Sequence, residues 1–124
     1  MKSITTEKAP AAVGPYSQAV VAGNLVFVSG QIPVDPATGN IPVDIVDQAR
    51  QALTNLGEVL RASGSGLDKA VRVTVFITDI SAFGKVNEVY AEFFKEPYPS
   101  RSCVEVSKLP KGVKIEIDAI GVID

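Results

Sequence analysis

Arg101, Cys103 and Glu116 are the residues around which a chemistry can be organised, because the commoner choices are missing. The chain contains no histidine and a single cysteine, Cys103. A serine nucleophile with a histidine base cannot be built from this inventory, nor can a zinc site of the histidine and cysteine types, so no metal is expected. A general base must then be a carboxylate, a perturbed lysine, a tyrosine, the thiolate or water. One thiol closes no disulfide within the chain and fits a reducing compartment.

Arg101 and Cys103 are two apart on a predicted strand and share one side of it, while Ser102, Val104 and Val106 share the other. If Val104 and Val106 meet the helices, Arg101 lies on the side facing other subunits. A guanidinium there wants an anion, and its planar fork matches a carboxylate in two parallel hydrogen bonds. The alternative is an ordinary surface or structural arginine. Glu116 in KIEID faces away from Ile115 and Ile117, with Lys114, Asp118, Ile120 and Val122. It either pairs with Lys114 or Arg101, sits in water, or is a desolvated base with a raised pKa that holds an attacking water. Cys103 reads as a small buried apolar residue sooner than as a nucleophile. Tyr16 in GPYSQA either packs or covers a pocket while offering its hydroxyl. Ser29 and Gly30 end a strand where a backbone N–H can approach a ligand, or simply make a turn. Asn87 lies outside the apolar face of a predicted helix, placed to bond a loop or a neighbouring chain.

The elements that must position these residues are visible in the pattern. Residues Gln18 to Gly30 read as two strands joined at Gly23-Asn24, followed by the irregular loop IPVDPATGNIPVD. From the cap Asp44, the residues Val46, Ala49, Leu53, Leu56 and Leu60 recur at helical spacing, and Gly64 is the stop. Val71, Val73, Val75 and Ile77 alternate with Arg72, Thr74, Phe76 and Thr78, the period of a strand. A second helix begins near Ser81 with the face Phe83, Val86, Tyr90 and Phe93, ended by Pro97 and Pro99. Two strands, Arg101 to Ser107 and Val113 to Val122, complete the chain around the Leu109-Pro110-Lys111-Gly112 turn. This order favours an α+β layer with two helices over one face of a sheet. The other face carries Phe76 between threonines, which predicts burial against sister subunits.

With 124 residues, 46% apolar and 21% charged, the chain is expected to form one domain, 1–124, with its own core. A net charge of −2 with 12 scattered basic residues offers no footprint for phosphate backbones, so nucleic acid is a poor candidate partner. The N-terminal MKSITTEKAP lacks the apolar core of a signal peptide, and no apolar run reaches the length of a membrane span. The cytosol is the expected compartment.

APAAVGPYSQAV, VSGQIP, QARQALTNL, VNEVYAEFF and PSRSCVEVSKLPKGVKIEIDAI occur in this order along nearly the whole chain, and together they resemble the RidA (YjgF) family. SRSCVEV followed by LPKGVKIEI is the most specific part. The resemblance implies a chorismate-mutase-like α+β fold, a mixed sheet with two helices on one face, in homotrimers whose sheets pack around the threefold axis. It implies active sites in the clefts between subunits, where Arg101 binds the substrate carboxylate and Glu116 positions water. It places Tyr16, Ser29, Gly30, Asn87 and Cys103 around that cleft. The implied activity is a cofactor-independent 2-iminobutanoate/2-iminopropanoate deaminase. Its substrates are the 2-imino acids formed from the 2-aminoacrylate and 2-aminocrotonate that pyridoxal-phosphate dehydratases release. The loop FFKEPYPSR before Arg101 is shorter than in many bacterial members. A non-catalytic trimer that binds 2-keto acids is the competing reading, and a ribonuclease or translation inhibitor a weaker one.

Overall fold

The computed structural model describes residues 1–124. Its strands are β1 (Lys2–Ile4), β2 (Ala19–Ala22), β3 (Leu25–Gln31), β4 (Ala70–Ile77), β5 (Ser100–Glu105) and β6 (Ile115–Val122), with helices α1 (Ile45–Ala62) and α2 (Phe83–Phe93). The strands form one mixed sheet in the order β1-β2-β3-β6-β4-β5. Only β4 and β5 run parallel, and a parallel neighbour requires a crossover, which α2 supplies. The fold is thus the α+β layer that the sequence predicts. No helix is long and apolar enough to cross a membrane.

Local signals set the boundaries. Gly23 takes φ 62° at the β2–β3 turn, a left-handed conformation that glycine adopts without steric cost. The Asp44 carboxylate accepts from the Val46 N–H at 3.0 Å and caps α1. At the other end Gly64 has φ 88°, and its N–H donates to the Arg61 carbonyl at 3.1 Å. Ala49, Leu53, Leu56 and Leu60 of α1 are fully buried, against Val26, Val73, Val75, Ile77, Ile115 and Ile117 of the sheet.

Three details depart from the sequence reading. Val71 is 44% exposed and does not continue the buried row of Val73, Val75 and Ile77. The β4–β6 register jumps between Ala70 and Arg72, so Val71 is the extra residue of a bulge. Helix α2 ends at Phe93, ahead of Pro97, as Phe94 takes an extended backbone and buries its ring in the core. The third concerns β5. Arg101 stands beside Val73 and Cys103 beside Val75, so both point to the helix side. Val104, 41% exposed, points to the open face. The condition that would have put Arg101 on the open face therefore fails. β5 is an edge strand whose helix-side neighbours are aromatic rings of α2, so its own valines do not mark the core.

The open face carries Phe27, 39% exposed, with half-buried Phe76, Ile120 and Val122, around Thr74, Glu116 and Asp118. Glu116 lies on this face, as the alternation of β6 predicts.

Candidate functional site

The residues singled out from the sequence fall into two groups on opposite sides of the sheet. The first surrounds a bulge in β3. Val28 pairs with Ala119 and Gln31 with Ile117, so three steps on β3 match two on β6, and Ser29-Gly30 form the irregularity. Such bulges re-aim side chains beside functional sites. Here the bulge brings Gly30 under Glu116, and a Cβ added at Gly30 would overlap the Glu116 carboxylate, with Glu116 Cγ 3.0 Å away. Glycine at 30 is required by this close approach. The Ser29 hydroxyl donates to the Ser17 carbonyl at 2.6 Å, and the Ser29 N–H to the Gln18 carbonyl at 2.9 Å. Those bonds hold the GPYSQA segment over the bulge and bring Tyr16 to the same place. Tyr16, Ser29, Gly30, Gln31, Lys111 and Glu116 line a cleft of about 610 Å³, within the range that holds small ligands.

Glu116 pairs with neither Lys114 nor Arg101. The Lys114 ammonium donates to the Val43 carbonyl at 3.0 Å, and Glu116 makes no salt bridge. Burial pushes the Glu116 carboxyl above the ordinary glutamate value of 4.5, and the neighbouring Asp118 carboxylate adds to the rise. Glu116 is thus half-buried and unpaired by any salt bridge, with its carboxyl shifted toward the neutral form.

The second group lies at the β5 edge. Arg101 Nη1 donates to Asn87 Oδ1 at 2.8 Å. The guanidinium carbon lies 4.6 Å from the Tyr90 ring centre and 5.1 Å from that of Phe83. Asn87, Tyr90, Ala91, Tyr98, Pro99 and Arg101 line a separate groove of about 450 Å³. Cys103 lines neither cleft: it packs against the core, and burial pushes its thiol pKa up despite the opposing pull of Arg101. That direction favours the thiol over the nucleophilic thiolate.

Within one chain the two groups cannot meet. Arg101 pairs with Val73 and Glu116 with Phe76 on the shared neighbour β4, three residues along and two strand spacings across. Strand dimensions put their Cα atoms about 14 Å apart, and their side chains leave opposite faces.

Sequence reasoning missed the buried amides that shape the first cleft. Gln18, 3% exposed, bonds Thr6, Ala9 and Pro10. Asn55, fully buried, donates to the carbonyls of Ile32 and Val34 at 3.0 and 2.9 Å. An amide inside the apolar stripe of α1 was the available signal, since a buried polar side chain needs partners. The helical spacing that puts Phe83 and Tyr90 on one apolar face carries no sign that both rings also face Arg101. No three His, Cys, Asp or Glu side chains gather where they could hold a metal ion.

Comparison with known proteins identifies the family and agrees with the fold. Residues 6–123 match the family model described as endoribonuclease L-PSP. The chain is 52% identical over 124 residues to the 2-iminobutanoate/2-iminopropanoate deaminase of Escherichia coli K12, covering 98% of this chain and 97% of that protein. The crystal structure of Escherichia coli TdcF with bound serine superposes with a TM-score of 0.95 at 49% identity, covering 100% of both chains. RidA from the Antarctic bacterium Psychrobacter superposes with a TM-score of 0.96 at 44% identity, covering 99% of this chain and 100% of that one. With the whole sheet, both helices and nearly every residue matched, the chain belongs to the endoribonuclease L-PSP family, the RidA/YjgF family that its motifs resemble.

Proposed function

We propose that this protein is a cofactor-independent 2-iminobutanoate/2-iminopropanoate deaminase whose active sites form between the subunits of a homotrimer. The observation that carries the reading is the division of the site. A cation with no acidic partner stands at the β5 edge, and a desolvated carboxylate stands over the β3 bulge on the opposite face. A second copy seated on the apolar open face would bring one group against the other, and would cover Phe27 and Phe76. The name of the Escherichia coli relative supports the reaction. The serine bound to TdcF supports a pocket for a small molecule bearing a carboxylate.

In the proposed reaction Arg101 holds the substrate carboxylate in a bidentate pair, which fixes the imine carbon near Glu116. Glu116, kept short of water, accepts a proton from the attacking water as its oxygen bonds to that carbon. The C=N bond becomes the C–N bond of a carbinolamine. Glu116 returns that proton to nitrogen, then takes the carbinolamine hydroxyl proton as the C=O bond forms and passes it to the departing nitrogen, so that the C–N bond breaks to release ammonia and a 2-keto acid. The imine carbon is already electrophilic, so positioning and one carboxylate that relays both protons are sufficient. Tyr16, Ser29 and Gly30 shape the Glu116 side, and Asn87 holds Arg101. Cys103 has no chemical step. The supply of substrate would come from pyridoxal-phosphate dehydratases in the same compartment, the cytosol.

A threonine dehydratase coupled to this protein tests the reading through the rate of 2-oxobutanoate formation. Wild type should accelerate it, and Arg101→Ala or Glu116→Gln should each remove the acceleration. Co-refolding the two variants should restore about a quarter of it, because random assembly gives about one interface in four an intact Arg101 and an intact Glu116. No acceleration by wild type defeats the deaminase, and failure of the mixture to recover defeats the shared site.

A further inference from the structure

Arg101 is held in an unusual way. Its hydrogen bond within the chain goes to a neutral acceptor, Asn87 Oδ1, and no carboxylate forms a salt bridge with it. The guanidinium instead faces two aromatic rings, Tyr90 at 4.6 Å and Phe83 at 5.1 Å. Phe83, Asn87 and Tyr90 are spaced four and three apart on α2, so one face of that helix makes all three contacts. Tyr90 is itself fixed: it is 6% exposed and stacks on Phe94 with ring centres 4.3 Å apart. Its hydroxyl is buried without a hydrogen-bond partner, so the residue is held in place by its ring.

We propose that Phe83 and Tyr90 are positioning residues, an aromatic clamp that holds the Arg101 guanidinium for an incoming carboxylate without neutralising its charge. The proposal rests on the reading of Arg101 as the carboxylate ligand and extends it to two residues that act through Arg101. The physical reason for rings is specific. A carboxylate neighbour would fix the arginine but compete with the ligand for its charge and its donors. A ring quadrupole attracts the cation through its face and leaves the N–H groups at the guanidinium edge free. A flexible arginine would have to be ordered on binding, and the clamp removes much of that cost beforehand. Asn87 completes the arrangement by engaging Nη1, which sets the plane of the fork.

The test uses the full-length assembled protein and 2-oxobutanoate, a stable carboxylate, as the probe. Phe83→Leu and Tyr90→Leu keep apolar volume and remove the quadrupole. Each should weaken 2-oxobutanoate binding by calorimetry roughly 3- to 30-fold, the range of one desolvated cation–π contact. In the imine assay each should raise KM by a similar factor and change kcat little. Phe83→Tyr and Tyr90→Phe keep the ring and should stay within about twofold of wild type on the same reasoning. In NMR spectra the Arg101 guanidinium protons should carry an upfield ring-current shift that falls toward the free-arginine position in the leucine variants. Leucine variants that bind as wild type does, or a Tyr90→Phe variant as weak as Tyr90→Leu, overturn the clamp. If wild type neither hydrolyses imines nor binds 2-oxobutanoate, the function falls. The NMR shift then decides the clamp alone: unshifted Arg101 protons in wild type refute it.

Discussion

Glu116 and Asp118 stand two apart on the same face of β6, both with carboxyls raised by burial. The Thr74 hydrogen bonds and Arg72 hold Asp118 back, whereas for Glu116 the effect of burial is reinforced by the Asp118 charge. A raised carboxyl pKa means that the folded chain binds this proton more tightly than the unfolded chain. Its stabilising contribution is full below the ordinary value and is lost as pH rises through the folded one. Catalysis needs the ionised form, so the sign for activity is opposite. The acid limb of kcat/KM should lie above pH 4.5, the ordinary glutamate value, and Glu116→Gln should abolish the activity that this limb reports. A limb at or below the ordinary value would refute the desolvated base. Gly30 gives a second residue-scale prediction. Gly30→Ala would push the Glu116 carboxylate off its place, a displacement of a side-chain end and not of backbone. Activity should fall on the order of 100-fold, as for a misplaced catalytic group, while the thermal midpoint moves by a few degrees at most.

Among the elements, α1 does more than cover the sheet. Its Asn55 holds the carbonyls of Ile32 and Val34, and its Gln48 donates to the Pro42 carbonyl and accepts from the Lys114 N–H, both at 2.8 Å. The long loop after β3 and the entry to β6 are therefore tied to one helix. Asn55→Leu leaves two buried carbonyls unpaired and should destabilise the protein by about 3 kcal/mol, measured by urea unfolding at fixed protein concentration. Asp44→Ala removes the α1 cap and should cost about 1 kcal/mol in the same experiment. A cost for Asn55→Leu as small as for the exposed cap would mean that the loop is held by something else.

For the whole molecule, the open face is the decisive feature. Phe27 and Val104 are exposed and Phe76 half-buried on a sheet whose helices cover the other side. The proposed trimer would cover this face and complete the site, so assembly and activity should fail together. Phe76→Asp should sediment as a monomer, retain its secondary structure by circular dichroism and show no imine hydrolysis. A monomeric variant with full activity would refute the shared site.

The sequence by itself determined the element order from β2 onward, the α1 caps, the faces of β4 and β6 apart from Val71, and the short list of residues able to do chemistry. These follow from local rules: period, turn residues and inventory. The family resemblance rests on motifs spread over the chain, and so it too was legible. The tertiary structure decided what depends on register and neighbours. The parallel pairing of β5 with β4 put Arg101 on the helix side, against the reading from Val104 and Val106, because an edge strand borrows its apolar contacts from elsewhere. The β3 bulge set Gly30 under Glu116, a two-strand juxtaposition with no signature along either strand alone. The separation of Arg101 from Glu116 likewise arises between strands distant in sequence, which spacing along the chain does not encode.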